Sequence, residues 1–173
     1  VKLDDTDLCL LAELQRDAAA PLATLAVRCR VSAPTVLRRI RRLEQAGLIE
    51  HRVAILHPQR LAAAVGEGLQ AIVELTLERQ GAEFLQAFEA LAVADPAVQQ
   101  CYRVSAGPDF VLVVAVRTMA EYQALAQRLF TAHDNVRTVK AYFCVHRAKF
   151  DTRLPLPSTA AAAGESGATA GQR

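Results

Sequence analysis

The chain has 173 residues, which bounds it to one or two small domains. Hydrophobic residues make up 52%, enough for a packed core, while a net charge of +2 excludes a protein that binds polyanions through its overall charge. Any basic surface is therefore local.

The longest apolar run, residues 110–116, is too short to cross a bilayer, so no membrane association is expected. The start, VKLDD, is acidic and lacks the apolar core of a secretory leader, which makes a cytoplasmic location the expectation. Cys9, Cys29, Cys101 and Cys144 form no C-x-x-C pair and are expected as buried free thiols of a reducing compartment. His51, His57, His133 and His146 are scattered, so neither a metal site nor a bound cofactor is expected. No nucleophile–base constellation or phosphate-cradling glycine loop occurs, and the chain does not read as an enzyme.

In chain order, residues 3–16 form the first predicted helix. Asp4, Asp5 and Asp7 favour its N-terminal end, and Leu8, Leu11, Ala12 and either Leu14 or Gln15 supply helical spacing. A turn over residues 17–21 leads to a second helix over 22–29, with Leu22, Leu25, Ala26 and Cys29 on one side. Arg30 and Val31 break the chain, and Ser32 is a suitable N-cap for a third helix. Pro34 falls in the first turn, where its missing N–H matters little, and Gly47 is placed to end the helix.

At about 100° per residue, Val36, Leu37, Ile40 and Leu43 share a core side of this third helix. Arg38 and Arg42 point away from that side, and Arg39 and Arg41 flank them. From Arg28 to Arg42 there are six arginines (28, 30, 38, 39, 41 and 42) and no acid. A guanidinium fork can bond guanine O6 and N7, or phosphate oxygens, in pairs. Two short helices joined by a tight turn, the second one basic, match a helix-turn-helix. The N-terminal half of the recognition helix enters the groove, so Thr35, Arg38 and Arg39 are the candidates for bases, with Ser32 beside them in the DNA-binding set. Arg41, Arg42, Arg28 and Arg30 are the candidates for phosphates.

Residues 51–61 read as a connector, with a weak strand over 52–56 broken at His57-Pro58, and 62–68 as a flexible hinge. The second half then alternates: a strand over 69–77 with Ala71, Val73, Leu75 and Leu77 on one face, and a helix over 81–93 with Phe84, Phe88 and Leu91. A strand over 98–104, a turn over 106–109 and a central strand over 110–116 follow. A helix over 119–130 and a strand over 136–145 complete the order β-α-β-β-α-β, the ferredoxin-like pattern. One sheet face takes both helices. The other carries apolar residues such as Ile72 and is most simply covered by a second copy. From residue 151 the sequence is low-complexity and is expected to be disordered.

Residues 2–150 resemble the Lrp/AsnC family of bacterial transcriptional regulators. The carrying stretches are LDDTDLCLLAELQRDAA, SAPTVLRRIRRLEQAGLI, HPQRL, QQCYRVSAGPDFVL and VRTVKAYFCV. The resemblance implies an α+β chain: an N-terminal winged-type helix-turn-helix over 1–50 and a connector over 51–68. A C-terminal ferredoxin-like βαββαβ sandwich over 69–150 would then serve ligand sensing and oligomerisation, ahead of a tail over 151–173. It implies a sequence-specific regulator of double-stranded DNA with a pseudo-palindromic operator, acting as a dimer or a larger assembly such as an octamer. It also implies an amino acid or related small metabolite as effector, bound at subunit interfaces. The family turn G-D-x-D-Y/F belongs to that site, which assigns it to Ser105, Ala106, Gly107, Pro108, Asp109 and Phe110. Asp109 and Phe110 match the pattern, whereas Ala106 and Gly107 replace its glycine and first acid. The alternative is an enzyme of the sirohaem-decarboxylase kind, which resembles the family in fold. It would require catalytic histidine and a tetrapyrrole pocket.

Overall fold

The computed structural model describes residues 2–157 and divides the chain into two compact units. One unit comprises residues 2–55 with 149–157, and the other residues 56–148; most of the tail expected to be disordered lies outside the described residues.

The first unit is helical: α1 (Asp5–Arg16), α2 (Leu22–Arg28) and α3 (Ala33–Gln45). Asp4 caps α1 in a reciprocal box, its carboxylate accepting from the Asp7 N–H while Asp7 accepts from the Asp4 N–H. Ser32 caps α3, and Gly47, at φ 69°, adopts the left-handed conformation that ends it. Leu10, Leu25, Cys29, Val36 and Ile40 form the core, with Leu14, Ala26 and Val31 packed around them.

Three expectations are corrected in this unit. Cys9 and Cys29 are joined in a disulfide, so they are not free thiols; Cys101 and Cys144 are free, and Cys144 is exposed rather than buried. The two helices that carry Cys9 and Cys29 pack side by side, a proximity that separation along the chain conceals. Leu37 does not face the core: it lies with Pro34, Arg38 and Arg41 along the outer groove of α3. The inner face of α1 is Asp7, Leu10 and Leu14 rather than Leu8 and Leu11, because a buried acid occupies one of its positions.

The second unit begins with α4 (Pro58–Val65), capped by His57, whose Nδ1 accepts from the Arg60 N–H. The weak strand expected over 52–56 is absent, and much of the expected hinge is helical. Then come β1 (Leu69–Leu77), α5 (Ala82–Ala94), β2 (Val98–Arg103), β3 (Phe110–Val116), α6 (Met119–Ala126) and β4 (Val136–Phe143). A π-helical turn, Gln127–Thr131, extends α6. The antiparallel sheet has the order β2-β3-β1-β4, the ferredoxin-like arrangement, with β1 and β3 at its centre.

The alternation in β1 buries Ala71, Val73, Leu75 and Leu77 against Phe88, Ala92, Leu125 and Leu129 of the helical layer. Leu91 stays exposed, and Phe84 lies under the Arg79 guanidinium, 4.3 Å from ring centroid to charge. On the opposite face Ile72 pairs in register with Val113 on one side and Tyr142 on the other, and Ile72 and Tyr142 are both exposed.

Candidate nucleic-acid interface and effector turn

The caps and core of the helical unit hold α3 with Val36, Ile40 and Leu43 inward, which turns its arginines outward. At its N-terminal end the Ser32 and Thr35 hydroxyls share a hydrogen bond of 2.9 Å. Arg38 and Arg41 are exposed, and no acid among the described residues pairs with them or with Arg30. These three guanidinium groups are available to an external anion.

Arg39 and Arg42 differ. Asp7 of α1 is fully buried and accepts from both, Arg39 at 2.9 Å and Arg42 through its other oxygen. Arg39 also reaches both oxygens of Asp4 at 2.7 Å. That contact, reinforced by the Asp7 N–H, lowers the Asp4 carboxyl to about 2, and the two carboxylates raise Arg39 further above the ordinary arginine value. A buried carboxylate needs such partners, since an unpaired charge in a core is strongly unfavourable. Arg39 is thus bound into the protein, while Arg42, about half exposed, is shared between Asp7 and solvent. Arg28 pairs with Glu13.

The predicted contact set therefore separates into two groups. Ser32, Arg30, Arg38 and Arg41 lie open, with Thr35 half-buried beside Ser32; Arg28, Arg39 and Arg42 are engaged by acids of α1. Sequence reasoning missed Asp7. The available signal was spacing: Asp4 and Asp7 are three apart on α1, as Arg39 and Arg42 are on α3.

In the second unit the predicted effector turn joins β2 to β3. Ala106 and Gly107 both have positive φ, 67° and 97°, so the chain reverses sharply before Pro108. The Asp109 carboxylate accepts from the Leu77 N–H at 2.7 Å and the Gln80 side chain at 3.2 Å, and the Asp109 N–H donates to the Leu75 carbonyl. Asp109 thereby ties the turn to the end of β1. Phe110 is fully buried, its ring 5.0 Å from that of Phe88. The exposed part of the turn is Ser105, Ala106 and Gly107.

A second acid–base pair closes the other end of this sheet. Asp95 is buried and accepts from Arg128 at 2.6 Å, which lowers its carboxyl below the usual range. Among the histidines, His57 caps α4, and His133 packs edge-on against Phe88 while accepting from the Asn135 N–H. Among the described residues, no three His, Cys, Asp or Glu side chains come together as metal ligands, and no helix is long and apolar enough to cross a membrane.

A helix-turn-helix unit with an outward basic helix, followed by a ferredoxin-like unit, defines a two-part transcriptional regulator. The AsnC-type helix-turn-helix domain matches residues 3–44, and the Lrp/AsnC ligand binding domain matches residues 70–154. The glutamate uptake regulatory protein of Zymomonas mobilis is 34% identical over 158 residues, covering 91% of this chain and 93% of that protein. The leucine-responsive regulatory protein of Rhizobium meliloti is 36% identical over 149 residues, covering 86% and 93%. The crystal structure of an AsnC family transcriptional regulator from Agrobacterium tumefaciens superposes with a TM-score of 0.75 at 31% identity, covering 88% and 97%. The chain belongs to the Lrp/AsnC family of transcriptional regulators.

Proposed function

We propose that α3 reads operator DNA in the major groove and that the second unit pairs two copies and senses a small metabolite. The observation that carries the reading is the open set on α3: Arg38 and Arg41 unpaired, with Ser32 and Thr35 at the helix N-terminus. In a dimer, two such helices enter successive grooves of a pseudo-palindromic site, about 34 Å apart. Arg38, opposite the core, is the base reader. Arg41 and Arg30 bind phosphates, and Arg42 adds to them when it leaves Asp7. Work on chromosomal DNA makes the compartment cytoplasmic and the role regulatory rather than enzymatic.

The sheet face bearing Ile72 and Tyr142 supports pairing with a second copy, since both side chains there are exposed among the described residues. A transcriptional regulator from Neisseria meningitidis, 25% identical with a TM-score of 0.74, is known in complex with L-Met, which supports an amino acid or related metabolite as effector here. With Asp109 and Phe110 turned inward, the ligand meets mainly the backbone of Ser105, Ala106 and Gly107, beside Pro108. An effector acts by binding one arrangement of the dimer better than another.

Gel-shift titration against genomic fragments upstream of the gene, at several salt concentrations, tests the DNA reading. Saturable binding with a steep salt dependence is expected; equal binding by wild type and an R38A/R41A variant overturns it.

A further inference from the structure

We propose that Cys9 and Cys29 form a reversible thiol–disulfide site whose redox state sets how firmly α1 supports the DNA-reading helix. The proposal deepens the DNA-binding reading and rests on it. Cys9 lies on α1, and Cys29 is the C-cap of α2; their Cα atoms are 5.7 Å apart and their sulfurs are bonded. A separation in this range closes a disulfide without moving the backbone. The same packing of α1 on α2, through Leu10 and Leu25, holds the two thiols side by side when reduced. A pair that opens and closes within one fold is what a reversible site requires.

The compartment sharpens the inference. A protein that works on chromosomal DNA shares its surroundings with a reducing thiol pool. Disulfides there are typically transient and redox-sensing rather than structural. The partner chemistry is a low-molecular-weight disulfide, RSSR, and its thiol, RSH. In closing, the Cys9 thiolate attacks RSSR and releases one RSH, leaving a mixed disulfide. The Cys29 thiolate then attacks the Cys9 sulfur and releases the second RSH. Two electrons and two protons pass from the cysteine pair to RSSR, and two RSH with the opposite flow reopen it. Cys9 is the entry sulfur because it is half-buried, whereas Cys29 is buried.

The position gives the bond its consequence. Asp7, which holds Arg39 and Arg42, lies two residues before Cys9 on α1. Cys29 directly precedes Arg30, whose φ of 55° makes the turn into α3. The cross-link therefore ties together the two supports from which α3 is presented. Reduction lifts the constraint of a 20-residue separation and loosens both.

The experiment uses the full chain with Cys144→Ser, which removes the exposed thiol as a source of intermolecular bonds. Thiols are counted by alkylation and mass across a series of reduced-to-oxidised glutathione ratios, with thermal melting and operator binding measured on the same samples. Two thiols are expected to vanish together on oxidation. On reduction, melting should fall by about 10 °C and operator affinity several-fold. C9A and C29A, each in the same background, should ignore the glutathione ratio and behave like the reduced chain. A chain that forms no Cys9–Cys29 bond at any ratio overturns the proposal. So does one whose melting and binding are unchanged when the bond opens. A chain that melts as expected but binds no duplex in either state overturns the DNA reading and leaves the redox pair standing.

Discussion

The arginines of α3 differ in role according to what each meets. Arg38 is open and opposite the core, so R38A should remove about 1–3 kcal/mol of discrimination between operator and mismatched sites; competition gel shifts measure this. Arg41 is open but flanking, and R41A should weaken all duplexes alike and reduce the slope of binding against salt by about 1. Arg39 lies between Asp4 and Asp7, and R39A should lower stability by leaving a buried carboxylate short of a partner.

The same contact makes a pH prediction. Arg39 holds the Asp4 carboxyl at about 2 against an ordinary 3.8. The folded form therefore takes up the proton less readily than the unfolded chain. The stability this supplies is present above the ordinary value and is lost as pH falls from there towards about 2. Thermal melting of wild type and D4N should converge across that window; parallel curves would remove Asp4 from the account.

At the scale of elements, the helices and strands were legible because their boundaries carry local chemistry: Ser32 and Gly47 bracket α3, and alternation marks β1. What local chemistry did not show was helix phase where a charged residue faces inward. Asp7 sits on the buried side of α1 because two arginines from another helix neutralise it, so apolar periodicity alone places the seam at Leu8 and Leu11. Leu37 departs from the expected seam for the reverse reason, since an apolar residue one position off the seam can line an outer groove. The turn over residues 105–110 behaves similarly. Its family pattern was readable, but the work of Asp109 was not, because both of its acceptor contacts lie about thirty residues away on the β1 side. D109A should cost the second unit about 1–3 kcal/mol by stranding the Leu77 N–H, visible in a denaturant melt without any ligand.

At the largest scale, the decisive feature is the four-stranded sheet of the second unit, whose helices α5 and α6 pack on the Val73 and Leu75 face. Ile72 and Tyr142 meet in register on the opposite face, where two exposed side chains next to each other favour self-association. I72D should give a monomer in analytical ultracentrifugation where wild type gives a dimer or larger species, and should weaken operator binding with it, because one helix cannot span two half-sites.

The sequence by itself determined the order of elements apart from α4, the Ser32 and Gly47 ends of α3, the basic helix and the family, since each depends on residues close together in the chain. Tertiary structure decided which arginines are free, where Asp109 points, and that Cys9 meets Cys29. Each of these is a pairing between groups that only folding brings within a few ångströms. The α3 arginines show the difference most plainly: their charge is written in the sequence, but their availability depends on acids thirty-odd residues away on α1.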